Sequence, residues 1–318
     1  MKKYFLLYAK GIAMGAADVV PGVSGGTVAF ITGIYDELLR SIASIPAAAI
    51  MLLRGRGRGR GRVRDAWQAA NATFLLILLL GIMTSVLSLA RLITYLLAEH
   101  PIPVWSFFFG LILVSAHLVA REIQRWNWSR GLSFALGGGF AYWITVASPV
   151  QLDSDPFSLF IAGAIAICAM ILPGISGSFI LVLLGLYSVV LGAVKSFDLA
   201  LLAVFAAGCL VGLVSFASLL RWLLVRWRDL SLAFLTGLML GSLNKIWPWK
   251  ETLTWRTDSH GEQVPLLQAN LLPAQFAEIS GQNPQLLLAI VLAIAGILLV
   301  LGLEWLAGRN PQSAGDNP

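Results

Sequence analysis

Two stretches, PGVSGGT at Pro21–Thr27 and PGISGSF at Pro173–Phe179, interrupt apolar runs with the same Pro-Gly-x-Ser-Gly break. The likeness continues on both sides. GIAMGAADVVPGVSGGTVAFITGIYDELL aligns with GAIAICAMILPGISGSFILVLLGLYSVVL without a gap, pairing Gly11 with Gly163, Gly33 with Gly185 and Tyr35 with Tyr187. Proline ends an incoming helix because it has no N–H and its ring clashes with the preceding turn, and the glycines permit a tight reversal. Irregular backbone at membrane depth is tolerated only where it is buried in protein or lines a cavity. A Gly/Pro-interrupted segment in matching places of two halves points to the binding site of a secondary transporter.

Composition places these segments in a bilayer. The chain has 318 residues, 58% hydrophobic and 12% charged, against about 25% charged in a soluble domain. Apolar runs of about 20 residues recur, which fits spanning helices rather than a barrel. The expected class is an all-α polytopic membrane protein. The net charge of +6 matches the six residues Arg54, Arg56, Arg58, Arg60, Arg62 and Arg64, with no acid among them. That Arg/Gly loop reads as cytoplasmic and beside anionic lipid, so no nucleic-acid partner is expected. Cys168 and Cys209 sit inside apolar segments and suggest neither a disulfide nor a metal site. No cofactor is expected. The N-terminal MKKYFLLYAKGIAMG lacks the pattern of a cleavable signal and reads as mature sequence.

Along the chain, the N-terminal repeat (1–150) holds a broken segment at 8–48 and helices at 72–98, 104–120 and 131–147. The C-terminal repeat (151–318) holds a broken segment at 158–195 and helices at 199–225, 231–246 and 285–306. Residues 247–284, rich in Trp and Pro and including His260, read as an extramembrane loop, and the tail from Gly308 as disordered. If each broken segment is a re-entrant hairpin, the Arg-rich stretches 54–64, 121–130 and 221–229 fall in the cytoplasm with both termini, and 98–103, 148–156 and 247–284 fall outside. Re-entrance is favoured because each arm before the break holds only about 10–13 apolar residues, short of the roughly 20 a span needs. One hairpin plus three spanning helices per half, three being odd, makes the second half an inverted repeat of the first. A second match, Gly81 with Gly208 and Phe107–Gly110 with Phe234–Gly237, shares one offset of 127 residues.

Ser24 and Ser176 are natural N-caps for the outgoing arms. The amides of Gly25, Gly26 and Thr27, and of Gly177 and Ser178, would then face the membrane centre, where a helix start suits phosphate. Asp18, an intramembrane acid where the second repeat has Met170, is a candidate for coupling or gating, by carrying a proton or ion or by orienting the break. Asp36 and Glu37 are weaker candidates for that role and fit a solvated helix end equally well. Arg91 and Arg221 could hold a phosphate, though snorkelling to the interface explains them too. Asn244 and Lys245 could meet a headgroup on the outer side or anchor the interface. His117 is a lone histidine in an apolar helix.

At these residues the sequence is similar to a known family. MGAADVVPGVSGGTVAFITGIYDELL, LPGISGSFILVLLGLY and TGLMLGSLNKIWPWK resemble the bacterial DUF368 membrane family of polyprenyl-phosphate transporters, over essentially the whole chain. The resemblance implies a flippase of the bacterial cytoplasmic (inner) membrane. It would return undecaprenyl phosphate from the outer to the cytoplasmic leaflet for peptidoglycan and other envelope polymers. On that reading Ser24–Thr27 and Ser176–Ser178 bind the phosphate, with Arg91 or Arg221 as charge partners. The residues themselves leave open a secondary transporter of a small soluble anion. A membrane enzyme lacks a nucleophile or acid–base set near the breaks, and an assembly protein would have no use for them. The coupling ion (a proton or sodium ion), the oligomeric state and the chain-length preference are open at this level.

Overall fold

Helix boundaries follow the punctuation of the sequence. In the computed structural model, which describes residues 2–20, 23–54, 59–150, 152–257 and 263–308, the first half contains α1 (Lys2–Val19), α2 (Gly25–Ile31), α3 (Tyr35–Ala43), α4 (Ile45–Arg54), α5 (Gly59–Ala69), α6 (Ala72–Glu99), α7 (Pro101–Arg121) and α8 (Trp128–Val146). The second half contains α9 (Pro156–Ile171), α10 (Gly177–Leu183), α11 (Tyr187–Ser196), α12 (Leu199–Arg226) and α13 (Arg228–Ser242). After these come strands β1 (Lys250–Thr257) and β2 (Gln263–Asn270), then α14 (Pro273–Ser280) and α15 (Leu286–Gly308). Asn127 caps α8 through Arg130 N, Asp155 caps α9 through Phe157 N and Ser158 N, and Asp198 caps α12 through Leu201 N. Each side-chain oxygen satisfies an amide that the first helical turn leaves open.

The protein is a polytopic helical membrane protein. Helices α6, α7, α12 and α15 are long and apolar enough to cross a bilayer, and α10 and α11 meet at a bend of 110°. Three expectations are corrected. The arms before the breaks are not short: α1 has 18 residues and α9 has 16, because α1 runs back through Lys2 and Lys3 and α9 back to its Asp155 cap. The short arms follow the breaks, α2 and α10 having seven residues each, about 10 Å at the helical rise. The expected span at 231–246 is a helix of 15 residues, about 22 Å against a hydrocarbon core of about 30 Å.

The stretch 247–284 is not an irregular loop but an antiparallel β-hairpin followed by α14. Its first strand, KETLTWRT, carries the Thr-Leu-Thr-Trp alternation of a two-faced strand. The Arg/Gly segment is partly helical, entering α4 at one end and α5 at the other; Arg56 and Arg58 lie outside the described residues, as do His260 and the tail beyond Gly308.

Glycines set how the helices cross. A Cβ at Gly11 would come 2.4 Å from Leu78 O, and one at Gly81 would come 2.4 Å from Tyr8 O. The equivalent residues repeat this between α9 and α12, with Gly163 against Phe205 O and Gly208 against Phe160 O. Likewise Gly110 meets Ala293 O and Gly296 meets Phe107 O, while Gly237 meets Phe134 O and Gly137 meets Phe234 O. Small residues let backbones approach this closely where lipid supplies no hydrophobic drive between helices. The sequence repeat is therefore also a repeat of contacts. The last helix of each half packs on the other half, α8 on α13 and α15 on α7, so the halves interlock.

The loops sort to two ends. At one end Arg228 pairs with Asp36 and Glu122, Arg130 with Asp229, and Arg121 with Glu304. At the other, Ile102, Trp249 and Ala289 form a small cluster with Trp247 and Phe276. The main core lies between, around Val20, Val23, Leu39, Ile112, Leu238 and Met239.

Candidate functional site

The two breaks meet inside the protein. Ser24 caps α2: its Oγ accepts from Gly26 N at 3.1 Å and donates to Met170 O, in the other half, at 2.9 Å. Tyr35 OH donates to Ile171 O at 3.1 Å, and Gly174 N donates to Thr27 Oγ1 at 3.2 Å. A helix end leaves its last carbonyls without intrahelical partners, and here the first break supplies partners for those ending α9. A Cβ at Gly26 would stand 2.4 Å from Ile171 O, so only glycine admits this approach. Ser24 and Thr27 are fully buried. Pro21 and Gly22 of this motif lie outside the described residues.

The amides expected to be free at the first break are occupied. Gly25 N donates to Asp18 Oδ1 at 2.7 Å, Gly26 N to Ser24 Oγ, and Thr27 N to Ser24 O at 2.9 Å. Asp18 thus stands where an anion was expected, at the start of α2.

The second break differs. Met170 replaces the acid, and Ser176 makes no capping bond to α10. Its Oγ instead shares a hydrogen bond of 2.9 Å with Ser178 Oγ, the latter exposed. Gly174 takes φ +90°, a left-handed turn that favours glycine, and sits against Met239 and Ser242. A narrow, largely apolar crevice lies here, lined by Gly174, Ile175, Ser176 and Phe179 of the break, Ala141, Ile144 and Thr145 of α8, and Ser242 and Lys245 after α13. At its rim Asn244 Nδ2 donates to Thr145 Oγ1, and Asn270 at the end of β2 donates to Asn244 Oδ1, tying the β-hairpin to the site.

The remaining candidates lie elsewhere. Arg91 on α6 and Arg221 on α12 are exposed and do not line the crevice. Asp36 is exposed and pairs with Arg228, and Glu37 accepts from Asn71 Nδ2 at 3.0 Å. His117 is exposed on α7. No cluster of His, Cys, Asp and Glu suited to a metal occurs among the described residues. Sequence reasoning missed Thr27 and Tyr35 as inter-half contacts, Thr145 and Ser242 as crevice walls, and Lys250. Only Tyr35, matched to Tyr187 across the repeat, carried a sequence signal.

Fold and site together define a multi-pass membrane protein whose two halves place broken helices against each other at its centre. The undecaprenyl phosphate translocase-like family matches residues 14–264. A polyprenyl-phosphate transporter of Vibrio cholerae is 56% identical over 301 residues, covering 95% of this chain and 96% of that protein. A polyprenyl-phosphate transporter of Staphylococcus aureus is 30% identical over 257 residues, covering 75% and 84%. The chain belongs to this family of undecaprenyl phosphate translocase-like proteins. No solved structure matches it.

Proposed function

We propose that the protein is a carrier, not an enzyme, that returns undecaprenyl phosphate from the outer to the cytoplasmic leaflet of the bacterial inner membrane for reuse in envelope synthesis. One observation carries the reading: of two equivalent breaks, one is sealed by inter-half hydrogen bonds while the other borders a narrow crevice whose polar lining is Thr145, Ser176, Ser242 and Lys245. These polar groups can meet a phosphate headgroup as the crevice widens while its isoprenoid tail stays in lipid, and the family relationship supplies the lipid. The inverted repeat gives alternating access, the sealed and open breaks exchanging roles across the cycle.

In this conformation Ser176 and Ser178 meet the headgroup, and Ser24–Thr27 do so when the first break opens. Arg91 and Arg221 attract the phosphate at the surface. Asp18 couples or gates, by holding or releasing the start of α2. The arginine-rich end, with both termini, faces the cytoplasm.

The test is transport by purified protein in liposomes, scored as protection of labelled undecaprenyl phosphate from an external phosphatase. Leaflet exchange faster than in empty liposomes and lost in Ser24→Ala/Ser176→Ala is the expected result. No exchange, with or without a proton or sodium gradient, sinks the lipid reading in favour of a small-anion carrier.

A further inference from the structure

Among the described residues, no acid forms an ion pair with either of two lysines beside the crevice. Lys245 lines the crevice, its Nζ 4.6 Å from the centroid of Phe179. Lys250 Nζ donates to Lys245 O at 2.6 Å and lies 4.0 Å over the ring of Trp105. The ion pairs of Arg121, Arg130 and Arg228 all lie at the opposite end and reach neither lysine. Aromatic faces and a carbonyl offset part of the cost of taking an ammonium out of water, but a buried cation remains expensive until an anion joins it. Burial pushes both amines below the ordinary lysine range, and for Lys250 the charge of Lys245 adds to the effect.

The neighbouring hydroxyls narrow what can bind. Ser242 Oγ donates to Met239 O, and Thr145 Oγ1 donates to Tyr142 O. Among the described residues the Ser176 and Ser178 hydroxyls bond each other, an arrangement either can leave to turn toward a ligand. The crevice therefore offers Lys245 and the Ser176 hydroxyl, with Lys250 bonded to the Lys245 carbonyl and Ser178 to Ser176 beside them. A phosphate monoester carries about −1.5 to −2 charges near neutral pH, which two lysines match. The phosphodiester headgroups of the bulk bilayer carry a single charge and leave one lysine uncompensated.

We infer that Lys245, backed by Lys250, is the cation that holds the headgroup phosphate, and that the pair selects a monoester over phosphodiester lipids. This rests on the reading of the protein as a polyprenyl-phosphate carrier.

The test titrates full-length protein in detergent, by tryptophan fluorescence, with farnesyl phosphate, inorganic phosphate and a short-chain phosphatidylglycerol. Farnesyl phosphate is expected to bind about tenfold or more tightly than the other two. Lys245→Gln is expected to weaken it by about tenfold or more and Lys250→Gln by less, while Lys245→Arg, which keeps the charge, stays within about threefold. The arginine variant and an unchanged melting temperature separate lost binding from lost folding. A folded Lys245→Gln that binds farnesyl phosphate as the parent does overturns the inference. Equal binding of phosphatidylglycerol overturns monoester selection, and equal binding of inorganic phosphate assigns the site to a free anion and overturns a lipid site. Liposome transport run beside the titration keeps the two levels apart. A parent that transports while Lys245→Gln transports equally well sinks only the lysine assignment; a parent that transports nothing sinks the carrier reading beneath it.

Discussion

Ser24 uses one hydroxyl for two bonds, accepting from Gly26 N within its own half and donating to Met170 O in the other. Replacing it with alanine strands a buried donor and a buried acceptor, which costs about 1–3 kcal/mol. Ser24→Ala is expected to lower the melting temperature of the detergent-solubilised protein. Ser178→Ala, which removes an exposed hydroxyl, should change stability by no more than about 0.5 kcal/mol. Equal effects would show that the inter-half bond contributes nothing. Asp18 calls for a different substitution. Asparagine keeps an oxygen for Gly25 N but removes the charge, so Asp18→Asn should reach normal membrane abundance and lose transport. Full transport would leave Asp18 as a cap alone. The sequence identified Ser24 as a cap because Ser before a helical run is a local signal. It did not reveal that Asp18 and Met170, equivalent by repeat, would make the breaks unequal, since that depends on which carbonyls the fold brings to each break.

The elements were more legible than their partners. Apolar runs and turn residues marked six helices outside the broken segments within a few residues, because both signals are local. The β-hairpin was lost among prolines and tryptophans, its alternation lasting only a few residues. Partner choice was legible in the Gly11–Gly163, Gly81–Gly208 and Gly110–Gly237 matches, whose meaning emerges where two backbones touch. Helix α13, the short helix packed on α8, tests that meaning. A Cβ at Gly237 would lie 2.1 Å from Phe134 O, whereas one at Gly139 has nothing within 4 Å. Gly237→Ala must push the helices apart and should cost about 1–3 kcal/mol. Gly139→Ala should be neutral or stabilising by up to about 1 kcal/mol, the helix propensity of alanine over glycine. Melting temperatures of the two variants in the same detergent decide it, and similar losses would sink the crossing-point account.

At the scale of the whole molecule the ion-paired arginines sort to one end of the fold. Arg121, Arg130 and Arg228 gather at one end, and the β-hairpin with its tryptophan cluster sits at the other. If the arginine-rich end stays in the cytoplasm, as proposed, the β-hairpin and the crevice beside Lys245 face outward. Three single-cysteine variants in a background lacking Cys168 and Cys209 test this with a membrane-impermeant thiol reagent added to intact cells. Leu253→Cys, on the exposed face of β1, should label from outside, and Ser129→Cys, at the start of α8, should label only after the membrane is opened. Ser24→Cys, fully buried in the sealed break, should resist labelling from outside in either case. Labelling of Ser129→Cys in intact cells would reverse the orientation and with it the direction of transport. Labelling of Ser24→Cys from outside would mean that the first break opens to the same side as the second. Two breaks open to one side form a pore rather than a carrier, and the alternating reading of the repeat would fail with them.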